Sequence, residues 1–270
     1  MRTTAVLGAL LSAVVAAPFI ELRREHLATR QQARTVVHSR PPYNVTTADT
    51  YGSEISGVKP RYTRNWAGAV LRGSGFKSVT GTIVVPTPQL PSGGNDATLY
   101  AAAAWVGIDG SGCSRTILQT GVDFWLMDGQ PIYTAWCEWI SNPPHNFAEF
   151  TMSAGDLINM TVTARSTSGG IATLENLNTG QIVSHSFSGE VFGLCEANAE
   201  WIVEDFKVDG VAIPLVDFTD VTFSNASVTT TSGVTLGVES ATILDIVQDS
   251  MVLTSCSTVR GDSGVVCGYA

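Results

Sequence analysis

After Asn65 stretches of the chain alternate apolar and polar residues with a period of two, broken by turn-forming clusters. SVTGTIVVP (78–86), LINMTVTA (157–164), IATLENL (171–177) and GVTLGVESATIL (233–244) are each predicted as strands, rich in Val, Ile and Thr. PSGGND (91–96), MDGQP (127–131), STSGG (166–170) and NTGQ (178–181) are the turns between them. Helical periodicity is weak and there is no internal repeat. Many short strands at this spacing predict one all-β domain, an antiparallel sandwich or barrel.

Three predicted strands carry an unusual polar face. In AEWIVEDF (199–206), Glu200, Ile202, Glu204 and Phe206 share one side, and Trp201, Val203 and Asp205 the other. In AWVGIDG (104–110), Trp105, Gly107 and Asp109 oppose Val106 and Ile108; in TAWCEW (134–139), Trp136 and Glu138 oppose Cys137 and Trp139. An ordinary solvent face uses Lys, Thr and Glu, whereas tryptophan beside carboxylates marks a binding surface. The pattern predicts one sheet face packed on the core and the opposite face forming an aromatic, acidic groove.

Charge divides the chain. Residues 1–64 carry nine Lys and Arg against four acids, a balance of +5, which leaves six basic and twenty acidic residues in 65–270, or −14. Residues 1–17 have a charged start, the apolar run Ala5 to Ala17 and small exit residues, as expected of a secretory signal; the run is too short to span a bilayer. Residues 18–64 then read as a basic propeptide that covers an acidic groove electrostatically and is later removed. The expected product is a secreted, extracellular protein without a membrane anchor. An acidic surface also argues against nucleic acid as a partner. In acid the carboxylates neutralise, so little self-repulsion remains to unfold the body.

Cys256 and Cys267 flank a predicted hairpin whose turn is Gly261-Asp262, so they are expected to be bonded. Cys113 and Cys195 precede LQTGVDF and AEWIVEDF and are placed to tie those strands together, leaving Cys137 as a buried free thiol. GDSG (261–264) resembles a serine-protease motif, but no histidine has a triad context and six residues follow it. DSG (262–264) lacks the second copy that an aspartic dyad needs. No metal-ligand spacing occurs, so no metal is expected. Sequons stand at Asn44, Asn159 and Asn225, the second inside a predicted strand.

NWAGAVL (65–71), AWVGIDG (104–110), ILQTGVDF (117–124), AWCEW (135–139), ATLENL (172–177) and NAEWIVEDF (198–206) together resemble the glutamic peptidases, or eqolisins, in order and spacing. The resemblance covers Asn65 to the C-terminus, 65–270. It implies a concanavalin A-like β-sandwich of two curved antiparallel sheets with the substrate groove on the concave face. It also implies a secreted preproenzyme, an endopeptidase active in acid and insensitive to pepstatin, with no cofactor. On this basis Gln119 and Glu204 are the expected catalytic pair, and Trp66, Trp105, Asp109, Asp123 and Glu138 line or support the site. Cys137 replaces an aromatic residue of the family pattern, and a cysteine pair after EDF is absent.

The chemistry follows from the groups. Peptide hydrolysis needs an activated water, a stabilised oxyanion and a proton for the leaving amine. A carboxylate against tryptophan can take a proton from water and return it to nitrogen, while a neutral amide donates to the oxyanion at any pH. Glu200 and Glu204 lie roughly 13 Å apart along a strand at about 3.3 Å per residue. One water therefore serves only one of them. Two other classes remain open on residues alone: a glycosidase pairing Glu138 with Glu204 or Glu200, and a binding module using the groove without turnover. The expected partners are polypeptide substrates and the protein's own propeptide as inhibitor, in a monomer.

Overall fold

A computed structural model describes residues 36–37, 60–113, 115–259 and 264–270. The signal-peptide reading, most of the propeptide, the Gly261-Asp262 turn and Asn44 lie outside the described residues. Thirteen strands of six or more residues build the body. They are β1 (Trp66–Arg72), β2 (Phe76–Val84), β3 (Tyr100–Ile108), β4 (Leu118–Met127), β5 (Gln130–Trp139) and β6 (Leu157–Ser166). β7 (Gly169–Asn176), β8 (Gln181–Ser188), β9 (Asn198–Glu204), β10 (Asp220–Thr230), β11 (Thr242–Gln248), β12 (Thr254–Val259) and β13 (Gly264–Tyr269) complete the set. No helix occurs among the described residues.

Two large sheets form a sandwich. One runs β8-β7-β6-β2-β10-β13-β12; the other has β11-β1-β9-β3-β4-β5 at its centre. Among the described residues, strand pairing is antiparallel except where Arg61–Thr63 lies parallel to Leu244–Ile246 of β11 and where Ala101 makes an isolated parallel bridge with Leu215. The hairpins use the turns expected from sequence, with Asp128 and Gly129 both at positive φ between β4 and β5.

The two sheets are built differently. In β6, β7 and β10 buried and partly exposed residues alternate, as in a sheet with one wet face. The wet side is a lattice of hydroxyls: Ser78 meets Thr163, and Thr80 meets Thr161, each at 2.8 Å. By contrast β3, β4 and β9 are buried along almost their whole length. Ala102, Ala104, Trp201, Val203, Cys137 and Trp139 face the core between the sheets. Ala101, Ala103, Trp105, Trp136 and Ile202 belong to a second apolar cluster on the opposite face. Gly68 of β1 sits at φ 131°, where a Cβ would lie 2.1 Å from the Trp201 carbonyl oxygen, so only glycine fits.

Three expectations need correction. GVTLGVESATIL is broken, not one strand: Thr235–Leu236 pairs with β10, a turn follows in which Ala241 N–H donates to Val238 O, and β11 begins at Thr242. β9 ends at Glu204, so Asp205 does not share the Trp201 face but turns to meet Gln248. Third, the aromatic face is covered: Trp66, Trp105 and Trp136 are at most 1 % exposed. Part of that cover is the segment after β9, where Phe206 packs edge-on against Trp125 with ring centroids 5.0 Å apart and Val208 joins the same cluster.

Residues just before the first matched motif also belong to this body. Thr63, buried at the end of its short parallel strand, accepts the Asn65 and Trp66 N–H groups and donates to Trp66 O. Gln248 donates to the Arg64 carbonyl.

The expected disulfides form, Cys113–Cys195 and Cys256–Cys267, and Cys137 is a buried free thiol. The first closes a separation of 82 residues and the second one of 11. In the chain-entropy account these are worth about 4.6 and about 2.8 kcal/mol. Paired Cys→Ser substitution at 113 and 195 is therefore expected to lower the midpoint of denaturant unfolding more than the pair at 256 and 267. Equal losses, or the reverse order, would count against this account.

Candidate active site

The strand register sets the site out in three rows on the covered face of β1, β9, β3, β4 and β5. The first reads Val70, Glu200, Gly107, Gln119, Glu138; the second Gly68, Ile202, Trp105, Gly121, Trp136; the third Trp66, Glu204, Ala103, Asp123, Thr134. Trp105 thus stands at the centre. Gly121 beside it gives the indole room, since a Cβ there would lie 2.5 Å from the Trp105 Cβ. Trp66 meets Trp105 edge-on at 4.9 Å.

Each carboxylate on this face is held by a named donor. The Trp105 indole N–H donates to Glu204 Oε2 at 2.8 Å, and the Asn65 amide reaches Glu204 Oε1 at 3.5 Å. The Trp136 indole donates to Asp123 Oδ1 at 2.7 Å and the Thr134 hydroxyl to Asp123 Oδ2 at 2.9 Å. Gln119 Nε2 donates to Glu138 Oε2 at 2.8 Å. Glu204 and Gln119 are both fully buried.

Six of the seven residues expected from sequence therefore share this face. Asp109 is the exception in kind. Its backbone takes φ 71°, and its carboxylate accepts the N–H groups of Cys195, Glu196, Ala197 and Asn198 at 2.7–3.2 Å. Those four amides open the segment that becomes β9. Asp109 supports the strand that carries Glu204 and does not line the face itself.

The sequence reading missed Asn65, Thr134 and the Asp205–Gln248 contact. Asn65 is the first residue of NWAGAVL, and its place in that motif beside Trp66 was the only signal of its role. Asp205 takes a hydrogen bond from Gln248, and burial raises its pKa to about 6, with the neighbouring Glu204 charge adding to the rise. Away from this face, Asp245 accepts the Thr254 hydroxyl and the Cys256 N–H, and burial lifts it to about 7. Burial also pushes Glu200 well above the ordinary glutamate value. The same cause raises the Cys137 thiol, with Glu138 adding to it, so Cys137 stays neutral and inert.

A two-sheet sandwich bearing a buried carboxylate and a buried amide over tryptophan is an arrangement suited to acyl transfer to water. The Peptidase A4 family model matches residues 64–269, and the chain belongs to that family. It is 45% identical over 281 residues to aspergillopepsin-2 of Aspergillus niger, covering 98% of each chain. It is 40% identical over 278 residues to scytalidopepsin B of Scytalidium lignicola, covering 99% of this chain and 98% of the relative. Among solved structures, scytalido-glutamic peptidase with a transition state analog inhibitor superposes with TM-score 0.68 at 40% identity, over 77% of this chain and 98% of that one. Aspergilloglutamic peptidase from Aspergillus niger superposes with TM-score 0.60 at 52% identity, over 63% and 99%. The protein is a glutamic-type endopeptidase, and the glycosidase and binding-module alternatives lose their ground.

The buried acids make stability depend on pH in one direction. Asp245, Asp205 and Glu200 all hold their protons more tightly folded than unfolded. Their contribution is complete below the unfolded values of 3.8 and 4.5 and is lost as pH rises through about 6 and about 7 for the two aspartates. The melting temperature is expected to be highest in acid and to fall by several degrees on approach to neutrality. Asp245→Asn, which keeps both hydrogen bonds, should flatten the upper part of that fall. Calorimetry across pH checks this; an unchanged slope in Asp245→Asn removes Asp245 as its source.

Proposed function

We propose that the protein is a secreted acid endopeptidase in which Glu204 activates water and Gln119 stabilises the oxyanion. The observation that carries this reading is the Glu204 carboxylate, fully buried and fixed by the Trp105 indole on the same face as the Gln119 amide. Indole is a donor only, so Trp105 orients the carboxylate without competing for the proton it must take. Glu138 accepts one N–H of Gln119 Nε2, which leaves the other N–H to meet the developing negative charge.

The steps balance with these groups alone. Glu204 removes a proton from water as the water oxygen bonds to the scissile carbonyl carbon, and the carbonyl oxygen becomes an oxyanion held by Gln119. The tetrahedral species then collapses: the carbon–nitrogen bond breaks, and Glu204 returns the proton to the leaving amine. Trp66, Trp105, Asp123 and Glu138 set the geometry. Acid suits the reaction because the base is a carboxylate.

The same reading makes the basic leader an intramolecular inhibitor. Its support is Val36–Val37, which pairs antiparallel with Lys207–Val208, two residues beyond the end of the Glu204-Asp205 pair. Val208 belongs to the apolar cluster of the site face, so the leader pairs, in a small separate sheet with Lys207–Val208 and Val211–Ala212, with a segment that packs on that face. Carboxylates that protonate in acid weaken their attraction to the leader's arginines and lysines. The purified precursor is expected to shorten on acidification, and a synthetic leader peptide to inhibit better near neutrality. Inhibition strongest at the lowest pH would overturn the electrostatic part of this proposal.

Glu204→Gln is isosteric and should abolish hydrolysis of a quenched peptide substrate while leaving the melting temperature within a few degrees. Gln119→Ala is expected to lose roughly 100- to 1,000-fold in kcat, the usual worth of one oxyanion donor. Both variants should be matured in trans, so that a failure to self-process is not read as a failure of chemistry. An active Glu204→Gln enzyme would end this mechanism.

A further inference from the structure

Glu200 is the one carboxylate of the three rows that the proposed mechanism leaves without a task. It is fully buried, and only one of its oxygens has a partner: Oε1 accepts the Ser111 N–H at 3.0 Å, while Oε2 is buried with none. Gln119 has the matching defect. Its Nε2 is engaged by Glu138, and its Oε1 is buried without a donor. The two orphaned oxygens sit in a single cross-strand row, on β9 and β4, with only Gly107 of β3 between them.

Gly107 carries no side chain, and a Cβ there would come within 3.0 Å of the Trp105 ring and 3.4 Å of the Gln119 Cβ. No side chain of the row therefore stands between Glu200 and Gln119, and the edge of the Trp105 ring packs over the glycine. Strands two apart in a sheet lie about 9–10 Å from one another, a span that two side chains of this length close between them. Two buried acceptor oxygens without donors, on residues either side of Gly107, are unfavourable unless one carries a hydrogen, and a carboxyl is the only group of the pair able to gain one.

We propose that Glu200 is a positioning residue for Gln119: its neutral carboxyl donates, directly or through one water, to Gln119 Oε1. The amide is then fixed at both ends, with Glu138 accepting from Nε2 and Glu200 donating to Oε1, so the free N–H has one direction. The charges around Glu200 favour the neutral form. Asp109 repels a carboxylate there, Glu138 stands beyond Gln119 in the same row, Glu204 lies two rows along the same strand, and Val70 on the other side is uncharged. Among the described residues, the Ser111 N–H is the contact that favours ionisation. This inference rests on Gln119 being the oxyanion donor.

It also assigns the limbs of the pH profile. Glu204 must be ionised, which sets the acid limb; Glu200 must be neutral, which sets the alkaline limb as rising pH removes the donor. A glutamine at 200 keeps a donor at every pH, whereas valine supplies none.

The test is kcat and KM against pH for the enzyme matured in trans, with circular dichroism at each pH to confine the comparison to folded protein. In Glu200→Gln the alkaline limb of kcat is expected to move up by about one pH unit or more, with the acid limb and KM unchanged. In Glu200→Val, kcat should fall by up to about 100-fold at all pH values, again with little change in KM. An alkaline limb that stays in place in Glu200→Gln overturns the proposal whatever happens to the rate, as does full kcat in a folded Glu200→Val. If the valine variant does not fold, the glutamine profile decides alone. Activity in Glu204→Gln would instead strike the underlying mechanism, so the two failures are distinguishable.

Discussion

The hydrogen bond from the Trp105 indole to Glu204 is the interaction on which the site face depends. A carboxylate with no exposure would be driven to neutrality or to another conformation unless a donor replaced water. Trp105 provides that donor at 2.8 Å and closes the space around it with apolar surface. Gly121 on the neighbouring strand, and Ala103 and Gly107 two residues to either side on β3 itself, follow from this choice, because a large indole requires small neighbours around it. Trp136 repeats the device for Asp123 one strand further on.

The constraint extends to the whole sandwich. A sheet buried on both faces cannot show the simple alternation of a half-wet sheet, and β3 meets this with YAAAAWVGI, whose alanines serve the core on one side and the site on the other. The partner sheet, wet on its outer side, supplies the conventional core wall. Asp109 then secures the approach to β9 through four backbone amides, so a strand that must carry Glu200 and Glu204 at fixed depth starts from a fixed point.

Period-two alternation was enough to place most strands, and Asp-Gly at 128–129 was enough for its hairpin. The site face was legible because tryptophan and carboxylate recur at the same parity in three strands. What failed was whatever depended on contacts distant in sequence. The end of β9 at Glu204 is fixed by Asp205 turning to Gln248, 43 residues away. The membership of Arg61–Thr63 in the body depends on a parallel pairing with β11. The depth of the face was also illegible, since alternation reports sidedness and says nothing of what later folds over the polar side. Asp109 was found by motif, but its role as a brace needed the backbone amides of 195–198 to be seen.

The hydroxyl lattice on the outer sheet has a consequence for a protein that is itself a peptidase. Ser78, Thr163, Thr80 and Thr161 bond laterally to one another, and none of them titrates, so the cohesion of that surface is indifferent to acid. The strands beneath are paired on both sides and have no free edge to lend. A peptide must be drawn out as an isolated chain before a groove can grip it, and these strands offer no such chain. β2 and β6 withstand the enzyme by having nothing to hand over.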